Sequence, residues 1–359
     1  MSLMKTTNKI NKTKQLAFTL LFSVISASSY AQQAWEKVDS GVSVELRGLS
    51  VASSKVAWAS GAKGTVIKTI DGTTWTNVSL PDAKDLDFRD IHAFNENIAY
   101  IMSAGPGKAS KIYKTKDGGK SWNMLIENQI PQGFWDAIDF WDEKNGVVFG
   151  DPIDGHFQVL ITHDGGVTWN ASAKDLSTLK ANPNEGAFAA SGTCMVLSGT
   201  RDILFVTGGA GQGRIFHSAD QGKTWQVTST HVSAKEASQG LFSVHMATPK
   251  LGMAVGGDYQ QTQLSYQHAS ITIDGGKTWS ALEVPLGFLS SITSVPTKKS
   301  STPILVAGGL DGSAWSHDAG KTWQRIGNTP LNTIAFSKQG QGWAIGPRGL
   351  VMKLGTQAE

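Results

Sequence analysis

Four carboxylates stand where they could do chemistry: Asp136, Asp151, Glu185 and Asp258. Two carboxyl groups about 5–10 Å apart across a cleft are what glycosidic-bond hydrolysis needs, one as acid and one as base or nucleophile. Four arginines, Arg47, Arg89, Arg214 and Arg348, accompany them, together with Asp311, Tyr259, Phe134 and Trp135. Arginines and carboxylates converging on one mouth would bind an anionic ligand or a polar peptide segment. Each residue also has a plainer role open to it, capping a strand end or pairing with a neighbour.

Other patterns imitate chemistry and fail on context. Gly-Lys-Ser/Thr occurs at Gly119, Gly222, Gly276 and Gly320, but none has the upstream Gly of a phosphate-binding loop and none leads into a helical pattern. Gly208–Arg214 (GGAGQGR) resembles a dinucleotide fingerprint yet falls between two strands. Asp151–Gly155 (DPIDG) lacks the regularly spaced oxygens of a calcium loop. The 8 histidines are scattered without an HExxH or a close pair, and the single cysteine, Cys194, sits in an alternating apolar stretch as a small core residue. The expectation is no metal and no cofactor.

The elements that must position these residues are strands. Six windows share one pattern: Thr69–Trp75, Thr115–Trp122, Thr162–Trp169, Ser218–Trp225, Thr272–Trp279 and Ser316–Trp323. Five read Ser/Thr-x-Asp-x-Gly-x-Ser/Thr-Trp, and the first is one residue short. Their aspartates, Asp71, Asp117, Asp164, Asp220, Asp274 and Asp318, are spaced by 46, 47, 56, 54 and 44 residues. Before each window an alternating apolar run, a Gly-rich turn and a second run recur, as in Val56–Ile67 (VAWASGAKGTVI). Period-two alternation bounded by Gly and Asp marks β-strands, and a unit of about 45 residues is the size of a four-stranded propeller blade. After Trp323, Leu331–Leu354 supplies three strands of a further unit without its window, and Ala34–Val38 supplies the missing fourth. The predicted fold is all-β: a seven-bladed propeller of four-stranded antiparallel blades over residues 32–359, closed by that N-terminal strand so that no sheet edge stays open.

Residues 1–31 read as a secretory signal peptide, with Lys5, Lys9, Lys12 and Lys14 ahead of the apolar Leu16–Ile25 and small residues before a cut after Ala31. Ten apolar residues are too few to span a bilayer, which takes about 20. Without the signal, Lys+Arg falls from 32 to 28 against 29 Asp+Glu, which removes the support for nucleic-acid binding. The product is expected to be exported, to the periplasm in a Gram-negative host and otherwise outside the cell, not membrane-spanning and monomeric.

If the repeated windows are the turns between third and fourth strands, the turns between second and third strands lie on the opposite face with the blade-to-blade connections. Both long insertions, Ala171–Thr193 and Gly256–Ala269, map there, and insertions gathered on one face of a repeat protein mark its binding face. The expected ligand- or partner-binding residues are those of that face: Arg47, Arg89, Trp135, Asp136, Asp151, Glu185, Arg214, Asp258, Tyr259, Asp311 and Arg348.

The repeated window resembles the Asp box of the bacterial neuraminidase repeat. The resemblance implies a structural role for the six aspartates and for Trp75, Trp122, Trp169, Trp225, Trp279 and Trp323, which would pack between blades. The seven units together resemble the photosystem II stability/assembly factor family of exported propellers, most closely its bacterial members. FWDAIDFWDEKNGVVFGDPIDG (134–155), NEGAFAASGT (184–193), GLFSVHMA (240–247), AVGGDY (254–259) and GWAIGPRG (342–349) carry this likeness. It implies a non-enzymatic factor that binds assembly intermediates of membrane proteins, partly through an Arg-rich face to which Arg47, Arg89, Arg214 and Arg348 would belong. The leading expectation is thus a binding module for a protein partner or a polysaccharide. The competing one is a glycoside hydrolase, since Asp-box propellers include sialidases. Here, however, the sialidase Arg triad is not found and Tyr259 has no Glu beside it.

Overall fold

The computed structural model describes residues 35–296 and 301–354, so the predicted signal peptide lies outside the described residues. Seven four-stranded sheets are found there, each an antiparallel meander. The first blade runs Leu46–Val51, Ala57–Gly61, Thr65–Thr69 and Trp75–Asn77. The inner strands of the next six are Phe88–Ala93, Trp135–Phe140, Met195–Ser198, Gln239–Met246, Ser291–Val295 and Thr333–Phe336. Trp35–Val38 pairs with Val351–Leu354, the third strand of the seventh blade, in the register Trp35↔Leu354 to Val38↔Val351. The predicted closure is therefore present. No helix among the described residues is long and apolar enough to cross a membrane.

The repeated windows do form the turns between third and fourth strands. In the third blade, Asp164 Oδ1 accepts the Thr168 N–H at 2.9 Å and the Thr162 hydroxyl at 2.9 Å, while Oδ2 accepts the Thr168 hydroxyl at 2.6 Å. Thr162 Oγ1 in turn accepts the Gly166 N–H at 2.9 Å. One Ser/Thr–Asp pair thus satisfies the turn's own donors. The hydroxyl and amide donors hold the exposed carboxyls of Asp117, Asp164, Asp274 and Asp318 down to about 2. The Trp that ends each window then lies on the blade before it. Trp75 meets Trp343 edge-on at 5.2 Å, and Trp122 meets Trp58 at 6.1 Å. Burying an indole in each seam ties neighbouring blades by an aromatic contact as well as by area.

Inner strands are clipped to their neighbours by side chains. Ser50 Oγ accepts the Ala93 N–H at 2.9 Å, Asp90 Oδ2 the Ile138 N–H at 2.7 Å, Ser243 Oγ the Ile292 N–H at 3.0 Å and Ser291 Oγ the Ile334 N–H at 3.1 Å. Thr333 Oγ1 donates to Arg47 O, which joins the last inner strand to the first. These bonds satisfy backbone donors where the strands lie too far apart to pair.

Candidate functional site

Arg47, Arg89 and Asp136 occupy the same place in successive blades, the second residue of the inner strand. At each, the ladder to the second strand slips by one: between Leu46 and Gly48, between Phe88 and Asp90, and between Trp135 and Ala137. The fifth blade slips likewise between Leu241 and Ser243, at Phe242. A β-bulge re-aims the side chain of the extra residue. All four bulged residues line one cavity of about 430 Å³. Strands opposite a bulge must leave room for it. A Cβ on Gly256, across from Leu241, would come within 1.9 Å of Gly240 O.

The long connection after the third blade forms the cavity's floor. Arg47 and Arg89 donate to Ala190 O at 3.2 Å and Ala189 O at 3.3 Å, and the Ala187 N–H donates to Asp151 Oδ1 at 2.8 Å. Gly186 exchanges both backbone bonds with Gly208 of the fourth blade. Thr193 donates to Ser243 Oγ at 2.7 Å, Ser191 to Ser290 O at 2.8 Å, and Thr333 bonds Ser191 O at 3.4 Å. One short segment thus touches residues of all seven blades, which only a segment lying on the propeller axis can do. Residues 186–193 therefore plug the central channel. The GGAGQGR glycines gain their reason here, since a Cβ on Gly208 would meet Gln239 O at 2.4 Å. Beyond the plug, a second cavity of about 350 Å³ is lined by inner-strand residues of every blade. His245 lies in it, pulled down to about 4 by burial and bonded to Ser294 Oγ at 2.8 Å.

The expected site residues divide sharply. Arg47, Arg89, Asp136, Asp151 and Tyr259 line the axial cavity, with Phe134. Trp135 does not belong to the rim; it is buried to 3% exposure against Tyr100, Met102 and Ile112, because the bulge turns Asp136 toward the axis and leaves Trp135 facing the second blade. Glu185 and Arg214 face each other as a two-point ion pair, with Arg214 Nε 2.8 Å from Glu185 Oε1, and Glu185 also accepts from Thr207 at 2.5 Å and Asn182 N at 2.7 Å. That pair anchors the plug at its base. Asp258 accepts the Gln260 N–H at 2.9 Å, and Asp311 pairs with Arg325 while accepting the Gly287 N–H at 3.0 Å. Arg348, exposed and at φ +56°, sits on a turn outside the cavity lining. Only two of the four arginines meet. Cys194 is buried in the core, as expected.

Sequence reasoning missed Glu45, Phe188, Phe242, Phe288 and Asn332, all of which line the cavity. Phe242 was within reach, since LFS at 241–243 aligns with LRG at 46–48. Phe188 was not, because nothing in its sequence context shows that the connection dips into the channel. It stacks on Phe242 with ring centres 3.9 Å apart and 13° between planes, and Tyr259 and Phe288 meet Phe242 edge-on at 6.1 and 4.7 Å.

The charges are unevenly satisfied. Arg89 pairs with Asp87 at 2.8 Å and Arg47 with Glu45 at 3.5 Å. Burial, and after it Arg89, pulls the Arg47 guanidinium below its ordinary value. Asp136 is 1% exposed, and neither of its oxygens has a hydrogen-bond partner. The N–H groups of Asp151 and Ala189 face it without closing to hydrogen-bonding geometry, and Arg89 is the cation that acts on it. Burial, and after it the Asp151 charge, pushes the Asp136 carboxyl well above 3.8, and burial raises Asp151 as well.

Residues 27–135 match the family profile described as photosynthesis system II assembly factor YCF48. Over that stretch the chain is similar to this family. Among solved structures, the chain superposes on "YCF48 bound to D1 peptide" with a TM-score of 0.64 at 17% identity, covering 90% of this chain and 97% of that one. YCF48 from Cyanidioschyzon merolae gives 0.64 at 15%, covering 89% and 98%, and a streptogramin B lyase gives 0.62 at 14%, covering 90% and 97%. At such identities the likeness is one of fold, and the lyase shows that the fold alone does not select a function. No curated protein matches the sequence.

Proposed function

We propose that this chain is an exported assembly or scaffold factor that docks an extended segment of a protein partner, a membrane protein in assembly being the favoured class, on the face bearing the axial cavity. The observation that carries this is the cavity itself. Bulges in four inner strands aim Arg47, Arg89, Asp136 and Phe242 at one point, above a plug that closes the channel to anything passing through. Such a site receives a side chain at its mouth while the surrounding turns meet the rest of the segment. The profile match to an assembly factor family, and a relative solved with a peptide bound, support the same reading. A photo-crosslinker at Tyr259, which stands 45% exposed at the rim, should trap a partner in the exported fraction. A crosslinker at Lys277, on a third-to-fourth-strand turn, should trap none. Equal capture from both positions, or capture only from Lys277, would sink the proposal.

A second reading, glycoside hydrolysis, draws on Asp136 and Asp151, which share the cavity and are both raised as a general acid must be. Against it, Asp136 at 1% exposure offers no room for a glycosidic oxygen. Turnover of an aryl glycoside that disappears in Asp151→Asn would establish this reading in place of the first.

A further inference from the structure

The cavity's own charges say what kind of side chain it takes. Its lining holds three carboxylates, Glu45, Asp136 and Asp151, against two arginines. Both arginines already have a carboxylate partner. Arg47 bonds Glu45 and the Ala190 carbonyl, and Arg89 bonds Asp87 and the Ala189 carbonyl. An incoming anion would meet guanidinium charges already countered by Glu45 and Asp87 and would lie beside carboxylates. Asp151, by contrast, is half-buried and has capacity left, with only the Ala187 N–H at 2.8 Å on one of its two oxygens. The opposite wall is aromatic, built from Phe188 stacked on Phe242 with Tyr259 and Phe288 beside them. Ring faces attract cations and repel anions. Carboxylates on one side and ring faces on the other therefore select the same sign of charge.

We infer that the axial cavity seats one cationic side chain, a Lys ammonium or an Arg guanidinium projecting from an extended segment of the protein partner. This rests on the docking reading above and adds the chemistry of the anchor. A partly buried carboxylate short of donors is costly to hold, and a charged donor entering the cavity supplies hydrogen bonds that Asp151 lacks. The plug sets the depth. Ala189 and Ala190 close the channel beneath the carboxylates, so a side chain can enter only from the Tyr259 rim and stops at the half-buried Asp151. The apolar stem of Lys or Arg then lies along Phe188 and Phe242 while its head meets Asp151.

The test is calorimetric titration of the purified chain with three end-blocked tripeptides, Ala-Arg-Ala, Ala-Gln-Ala and Ala-Glu-Ala, and with agmatine as a free guanidinium. The Arg peptide should bind with one-to-one saturation, and the Gln and Glu peptides at least about tenfold more weakly. Asp151→Asn, which keeps side-chain size, should weaken the Arg peptide by about tenfold or more while circular dichroism and melting show an intact fold. Lys144→Ala, exposed and outside the cavity lining, should leave it unchanged. Preference for the Glu peptide, or full affinity for the Arg peptide in Asp151→Asn, overturns the inference. Agmatine binding more tightly than the peptide would overturn the protein source and assign the seat to a free amine. Tyr259 crosslinking separates the two claims. A partner captured equally by wild type and Asp151→Asn leaves docking standing and removes the cationic anchor, whereas loss of capture from the wild type removes both.

Discussion

Asp136 carries a carboxyl group that folding takes out of water without giving it a hydrogen bond. Its folded value lies well above 3.8, so between 3.8 and that raised value the native state holds a proton that the unfolded chain releases. Stability therefore falls as pH rises through that window. Asp136→Asn removes the ionisable group and keeps its shape. The variant should be more stable than the parent at neutral pH by about 1–3 kcal/mol, and urea midpoints should converge once pH drops below 3.8. A gain that persists unchanged in acid would contradict this. Glu185 is the opposite case. Its carboxylate is 1% exposed but fully bonded, to Arg214, Thr207 and Asn182 N. Glu185→Ala leaves Arg214 buried without its partner and should destabilise by about 3 kcal/mol or more. Because the pair anchors the plug, limited proteolysis of the variant should cut first within residues 172–194. Cleavage elsewhere would show that the plug is held by other contacts.

At the scale of elements, the Ser/Thr–Asp turns and the bulges obey different rules. The turns are local: each aspartate bonds residues within four positions of itself, and the donors hold Asp117, Asp164, Asp274 and Asp318 at about 2. A carboxylate lowered in the folded state contributes stability that is complete above its ordinary 3.8 and lost as pH falls toward 2. Acid unfolding should therefore steepen between those values, and Asp164→Asn together with Asp274→Asn should flatten the acid limb without altering the neutral one by as much. Identical acid limbs would rule out the turns as its source. The bulges depend on two strands at once. Gly256→Ala places a methyl group 1.9 Å from Gly240 O, so the fifth-blade bulge must shift. We expect a loss of about 1–3 kcal/mol and displaced Phe242 and Tyr259 resonances in aromatic NMR spectra, with Trp75 and Trp343 unmoved. Unmoved Phe242 would mean that the bulge does not depend on that glycine.

At the scale of the whole molecule, the ring is closed by four residues. Trp35–Val38 is the fourth strand of the last blade, and Trp35 Nε1 also donates to Ser313 Oγ of the sixth at 3.0 Å. Deleting residues 1–38 would expose the Val351–Leu354 edge and loosen the seam where the first and last blades meet. The truncated chain should melt at lower temperature with a broader transition, and should associate through the open edge in sedimentation. A monomer that melts as sharply as the full chain would show that closure rests on the inner-strand clips instead. The plug acts at this scale too. By bonding to every blade it makes the channel's diameter a property of residues 186–193 as much as of the sheets.

Blade number, closure and the face carrying each kind of turn were legible in the sequence because they follow from short-range rules. A hydroxyl two residues before an Asp, a Gly two residues after it, and period-two alternation on either side specify a hairpin wherever they occur. Six such hairpins plus Leu331–Leu354 and Trp35–Val38 admit one ring. Arg47, Arg89, Asp136, Asp151 and Tyr259 were legible as companions for the same reason, since a repeat places equivalent positions at equivalent radii. Their meaning was not. That both arginines bond carbonyls of the plug, that Asp136 stands without a donor, and that Phe188 comes to face Phe242 depend on where residues 186–193 run. That path is set by contacts with seven blades drawn from across the chain, and no local pattern encodes such a sum. The sequence by itself determined the scaffold; only the tertiary structure decided the sign of the charge that its axial cavity accepts.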